Sequence, residues 1–109
     1  MAEIVFSPDA LADLKQTKAY ITEDLCSEQA AVHTISKIMK RIRMLADFPE
    51  VGTSLTSAVN IANDYRFLVC GNYTAFYRYE KDKVYIVRVL YGRRDYMRIL
   101  FGEVPDDEN

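Results

Sequence analysis

Gly92 is followed at once by Arg93 and Arg94, with Tyr96 two residues further on, in a stretch that reads VRVLYGRRDY over residues 87–96. Two guanidiniums after a glycine can grip phosphate oxygens through paired N–H donors, and a tyrosine beside them can stack on a base. The plainer alternative is the end of a buried strand, with Asp95 making a local ion pair or capping the turn. Exposed, such a pair contributes only about 0–1 kcal/mol. More arginines and tyrosines stand upstream at Arg66, Tyr73, Tyr77, Arg78 and Arg88. Other chemistries have thinner material. His33 is the only histidine, so a metal site built from several imidazoles is excluded, and any Ser-His-Asp or Cys-His arrangement would have to use it. Cys26 and Cys70 are far apart and show no C-x-x-C spacing, which reads as two reduced thiols in a cytoplasmic chain. We expect no metal and no cofactor.

The elements that must position these residues fit one domain. The 109 residues are enough to bury a core without disulfides, half of them are hydrophobic, and the net charge of −2 argues against coating nucleic acid by bulk electrostatics. No apolar run approaches the ~20 residues of a spanning helix. The opening MAEIVFSPDA carries acid and proline where a signal peptide would be basic and then apolar. Glu3–Phe6 reads as a strand. Ser7 then caps a helix with Pro8 at its first position and Asp9 in its first turn. Leu11, Leu14, Lys18, Ile21 and Leu25 set its spacing, the four apolar members forming its stripe. Ser27 caps a second helix, on which Ala31, Ile35, Ile38, Ile42 and Leu45 form a stripe that leaves Lys37, Lys40, Arg41 and Arg43 largely outside. The two helices read as an αα-hairpin joined by a residue or two, ended by Pro49 and Gly52. His33 falls about 200° around the helix from Ile35, so it is expected in solvent.

Residues 53–63 read as a polar loop without a basic side chain. Beyond it the period becomes two, in YRFLVC, YTAFYRY and VYIVRVLY, with hairpin turns at Gly71-Asn72 and Lys81-Asp82. Those turns pair Cys70 with Tyr73, Arg66 with Tyr77, Glu80 with Lys83 and Tyr77 with Ile86. Alternation then gives two faces. Phe67, Val69, Phe76, Val87 and Val89 are assigned to the helices. Arg66, Leu68, Tyr73, Ala75, Tyr77, Tyr79, Ile86 and Arg88 are assigned to an open, partner-binding face. Arg78, on the helix side near a strand end, is expected to pair with a neighbouring Tyr, Glu or Asp64. DYMRILF reads as a short helical turn and residues 103–109 as a frayed acidic tail.

The run DYRFLVCGNYTAFYRYEKDKVYIVRVLYGRRDYMRIL, with FSPDALADL, a helical hairpin and LADFPEVG upstream, resembles the RelE/ParE superfamily of bacterial toxins over nearly the whole chain. The resemblance implies an α+β fold: an N-terminal strand, an α-helical hairpin, a three-stranded antiparallel meander and a short C-terminal helical turn, all one domain over residues 1–109. It also implies a type II toxin–antitoxin module, in which a small antitoxin wraps the toxin and the complex, not the toxin alone, binds operator DNA. Two targets divide the superfamily. ParE-type members poison DNA gyrase, and RelE-type members cleave mRNA in the ribosome without metal, through attack of the 2′-hydroxyl on the adjacent phosphate.

By position Arg66 and Arg94 match arginines of the RelE-type site, and Tyr96 is a displaced substitute for a C-terminal tyrosine whose own place falls near Leu100. The lysines which that site draws from the segment before Arg66 are missing here, as is the C-terminal histidine or glutamate of other ribonuclease members. The Pro49-x-x-Gly52 turn and RVLYGRRDY look more like ParE-type sequences. The expectation is therefore a ParE-like gyrase inhibitor neutralised by a cognate antitoxin, with Tyr73, Tyr77, Arg88 and Arg93 on the partner face. The alternatives are a ribosome-dependent endoribonuclease using Arg66, Arg94 and Tyr96, or an inactive antitoxin-binding module.

Overall fold

A computed structural model of the chain describes residues 1–57, 63–92 and 95–102. Strand β1 (Glu3–Phe6) leads into helix α1 (Pro8–Glu23). The Ser7 hydroxyl makes that corner twice over, accepting from the Ala10 N–H at 2.9 Å and donating to the Val87 carbonyl at 2.7 Å. It thus satisfies an orphan donor of the first turn and fastens the helix start to a distant strand. Helix α2 (Glu28–Arg43) is capped the same way, Ser27 accepting from the Ala30 N–H at 3.1 Å. The connection is longer than two residues, running from Asp24 to Ser27 with Cys26 in the left-handed region at φ 55°. A 3-10 turn (Met44–Ala46) follows α2 and carries the last residue of its stripe, Leu45, into the core. His33 is exposed, as its helical position required.

The remaining strands are β2 (Thr53–Ser54), β3 (Arg66–Cys70), β4 (Tyr73–Glu80) and β5 (Lys83–Tyr91), and helix α3 (Tyr96–Phe101) closes the described chain. All five strands form one sheet in the order β1-β5-β4-β3-β2, with β1 parallel to β5 and the other pairs antiparallel. Both hairpin turns fall where their residues predicted. Gly71 takes φ 65°, and Lys81 and Asp82 take φ 53° and 65°, the left-handed pair that suits a two-residue turn between twisted strands. The expected pairings Cys70–Tyr73, Arg66–Tyr77, Glu80–Lys83 and Tyr77–Ile86 are all present. The supposed polar loop holds β2, which pairs with β3 through Thr53–Phe67 and Ser54–Arg66, and a 3-10 turn (Leu55–Ser57) whose Leu55 is buried.

The two faces of the sheet are sorted as alternation requires, but the helical hairpin covers the other one. Leu68, Ala75, Tyr77 and Ile86 pack with Ala10, Leu14, Ile38, Ile42 and Leu45 in the main core. Phe67 and Phe76 face away from it, into a second cluster with Leu55 and Leu90 that is covered by Tyr96, Ile99, Leu100 and Phe101 of α3. An aromatic-rich face reads as open only if a tyrosine hydroxyl cannot be satisfied inside. Here Tyr77 is fully buried, its hydroxyl donating to the Pro49 carbonyl at 2.8 Å and accepting from the Gly52 N–H at 2.9 Å. The alternation also breaks once. Phe76 pairs with Arg88 but Tyr77 with Ile86, so Val87 is an extra residue and Val89 returns to the main core. On α1 the buried positions are Ala10, Asp13, Leu14 and Ile21, while Leu11 is exposed, as is Leu25, which falls beyond the helix end in the connection to α2.

Candidate functional site

The arginines and tyrosines singled out by the sequence separate into distinct settings. Arg88 leaves the bulge in β5 and meets Asp13 of α1, donating from Nε to Oδ2 and from an Nη to Oδ1, both at 2.7 Å. The same carboxylate accepts the Val89 N–H at 3.0 Å. This works because α1 takes over the edge of β5 where β1 stops: Ser7 N–H donates to the Ile86 carbonyl at 2.9 Å, and Asp13 meets the next free stretch of that edge. Hydrogen bonding to Asp13 raises the Arg88 pKa further, against the opposing pull of burial. Arg88 is therefore fastened into the fold. A carboxylate three residues after buried Ala10 and one before buried Leu14 is the sequence signal that could have found this pair, since a charge on an apolar stripe demands a cation.

Arg66 sits at the other end of the sheet. Its guanidinium donates to the Gly52 carbonyl at 2.9 Å and the Glu50 carbonyl at 3.2 Å. Together with Tyr77, whose hydroxyl is pushed up in pKa by burial, it holds the Pro49–Gly52 turn from behind. Gly52 has no room for a side chain, because a Cβ there would lie 2.5 Å from the Tyr77 hydroxyl. Tyr96 stacks on Phe76 at 5.7 Å between centroids, on the face of the sheet opposite to the one that carries Tyr77 and Arg66. The structure therefore does not bring Arg66 and Tyr96 together. Arg93 and Arg94 lie outside the described residues. Arg78 pairs with Asp64, as its strand position suggested, with an Nη to Oδ2 distance of 2.8 Å.

Among the described residues expected on the partner face, Tyr73 lines a large concavity. A groove of about 1030 Å³ runs between the helical hairpin and the β3–β4 turn, and is lined by Tyr20, Ile21, Leu25, His33, Lys37, Tyr73 and Tyr91 among others. Tyr73 and Tyr91 meet edge to face at 5.4 Å. Burial raises the Tyr73 pKa, and a hydrogen bond with Thr17 works against that rise. The groove's two carboxylates are already matched: Asp13 by Arg88, and Asp95 by Arg98 at 3.0 Å. Lys37 and His33 are exposed, and Lys37 enters no ion pair among the described residues. The surplus charge of the lining is thus positive. Among the described residues no group of three or more His, Cys, Asp and Glu side chains is placed to hold a metal ion.

A family model described as the ParE toxin of the type II toxin–antitoxin system parDE matches residues 4–96, from β1 to the first residue of α3. The chain belongs to that family. This family member is similar in fold to a chain in a solved structure of the chromosomal ParDE system from P. aeruginosa. The TM-score is 0.71 and the identity 19%, over 84% of this chain and 96% of that one. No curated protein matches it. The strand, helical hairpin, antiparallel meander and C-terminal helix that the resemblance implied are all present here, with β2 at one edge of the sheet and β1 at the other. No helix among the described residues is long and apolar enough to cross a membrane.

Proposed function

We propose that this chain is the toxin of a ParDE-type module in the cytoplasm, that it stops growth by binding and inhibiting DNA gyrase, and that a cognate antitoxin neutralises it. The observation that carries this reading is the family match over residues 4–96. The geometry supports it against RNA cleavage. Arg66 is turned onto backbone carbonyls, Tyr96 packs against Phe76 on the opposite face, and residues 53–63 contain no lysine. A net charge of −2 also argues against binding driven by bulk attraction to phosphates. The antitoxin's seat in this reading is the groove, whose tyrosine-rich floor and uncompensated Lys37 suit an apolar segment bearing carboxylates. Operator DNA is then contacted by the toxin–antitoxin complex.

Inducing the chain alone should arrest growth, and the purified chain should inhibit supercoiling by gyrase while leaving ribosome-bound mRNA intact. Arg94→Ala, which removes an arginine of the ribonuclease set, should keep that inhibition. Ribosome-dependent cleavage abolished by Arg66→Ala would replace this reading with the ribonuclease, and the absence of both activities would leave an inactive antitoxin-binding module.

A further inference from the structure

The turn that follows α2 is held with unusual care for a stretch with exposed apolar tips. Phe48 and Val51 are 60% and 52% exposed and lie outside both core clusters. Behind them, Tyr77 and Arg66 together make four hydrogen bonds to the backbone of Pro49, Glu50 and Gly52, and the Val51 N–H donates to the Phe48 carbonyl at 3.1 Å. Folding has thus already ordered a segment whose two largest side chains face water. A pre-ordered apolar pair needs little further ordering on binding, which is how a small contact becomes an anchor. Tyr79 flanks the turn across a depression of about 470 Å³.

We propose that this turn is the surface with which the toxin grips its target, a folded protein offering an apolar pocket with a basic rim. This rests on the toxin reading above and adds the face that acts. The charge fits one kind of partner: exposed Asp47 precedes Phe48 and exposed Glu50 precedes Val51, and neither forms an ion pair among the described residues. The shape fits the same partner. Side chains displayed by a tight turn need a pre-formed pocket, which an extended, wrapping segment does not offer. Such a segment suits the groove, where the surplus charge is of the opposite sign.

The test compares the parent chain with Phe48→Ser/Val51→Ser and with Asp47→Lys/Glu50→Lys, using Leu11→Gln as an exposed apolar control on α1. The readouts are half-inhibition of purified gyrase, growth arrest on induction, thermal unfolding and molecular size in solution. Loss of both anchors should weaken inhibition by about tenfold or more. The charge reversal should weaken it less and flatten its salt dependence. The control should match the parent, and every variant should stay folded. Growth arrest by the parent without gyrase inhibition, lost in the double serine variant, would remove gyrase as the target and keep the turn. Equal potency of parent and folded variants would overturn the turn and keep the gyrase reading. A parent inert in both assays would overturn both. A weakened variant that also changes from dimer to monomer would assign the turn to a second copy and overturn the proposal.

Discussion

Two aspartate–arginine pairs use the same groups in this molecule and sit in opposite surroundings. Arg88 meets Asp13 with two 2.7 Å hydrogen bonds to separate carboxylate oxygens, where the side chains are 25% and 8% exposed. Arg78 meets Asp64 through two bonds of 2.8 and 3.1 Å to a single oxygen, with exposures of 43% and 65%. The buried carboxylate has a third donor in the Val89 N–H. Asp13 therefore joins a helix, a strand edge and a side chain at one point, whereas Asp64 decorates a strand. The difference shows that an arginine's role cannot be inferred from the presence of a carboxylate alone. What decides it is whether water can replace the partner.

Removing each carboxylate should separate the two pairs most clearly. Asp13→Ala leaves Arg88 without its partner in a largely dry site and orphans the Val89 N–H, so it should cost about 3 kcal/mol, a large part of the total stability of a small domain. Urea unfolding would measure it, and a loss well under 1 kcal/mol would mean that water reaches the junction. Replacing both charges, as Asp13→Leu/Arg88→Met, sharpens the point. The double variant should recover part of the loss but remain below the parent, because the unpaired N–H still costs about 1–3 kcal/mol.

The Tyr77 hydroxyl tests the same principle with a neutral group. Tyr77→Phe strands the Pro49 carbonyl and the Gly52 N–H and should cost about 1–2 kcal/mol in the same assay. Asp64→Ala should shift the midpoint least, by about 0.5 kcal/mol or less. Its pH dependence has a definite sign. Hydrogen bonding to Arg78 is the main influence holding the Asp64 carboxyl below its usual value of 3.8, so its small contribution is present above that pH and is lost as the pH falls through the folded value. A stability difference between the parent and Asp64→Ala that widens as the pH falls would contradict this.

Much of the fold was legible because its signals are local. Ser7 before Pro8, Ser27 before Glu28, and the turns at Gly71-Asn72 and Lys81-Asp82 each fix a boundary with a few bonds, and those turns carried the register of three strands. The orientation of the sheet was not local. Alternation separates Phe67 and Phe76 from Leu68 and Tyr77, yet both sets are hydrophobic because the hairpin covers one face and α3 the other. Strand β2 is two residues long, too short for any periodicity, and the bulge at Val87 shifts the phase of β5 without a residue type to announce it. Those misses propagated to the site. Arg88 and Tyr77 were expected on an open surface. They lie at a helix–strand junction and in the core, and of the residues expected on the partner face, Tyr73 opens onto the groove.

The central proposal is that this ParE-family chain acts by gripping gyrase, while Arg66, Arg78 and Arg88 are bonded within the fold. The most direct measurement is supercoiling of relaxed plasmid by purified gyrase with increasing amounts of the chain, run beside folded Arg66→Ala. The account predicts dose-dependent inhibition by the parent, weakened but not abolished in Arg66→Ala, whose turn loses two of its four holding bonds. Supercoiling untouched by the parent chain, with mRNA cut on ribosomes and that cutting lost in Arg66→Ala, would contradict it.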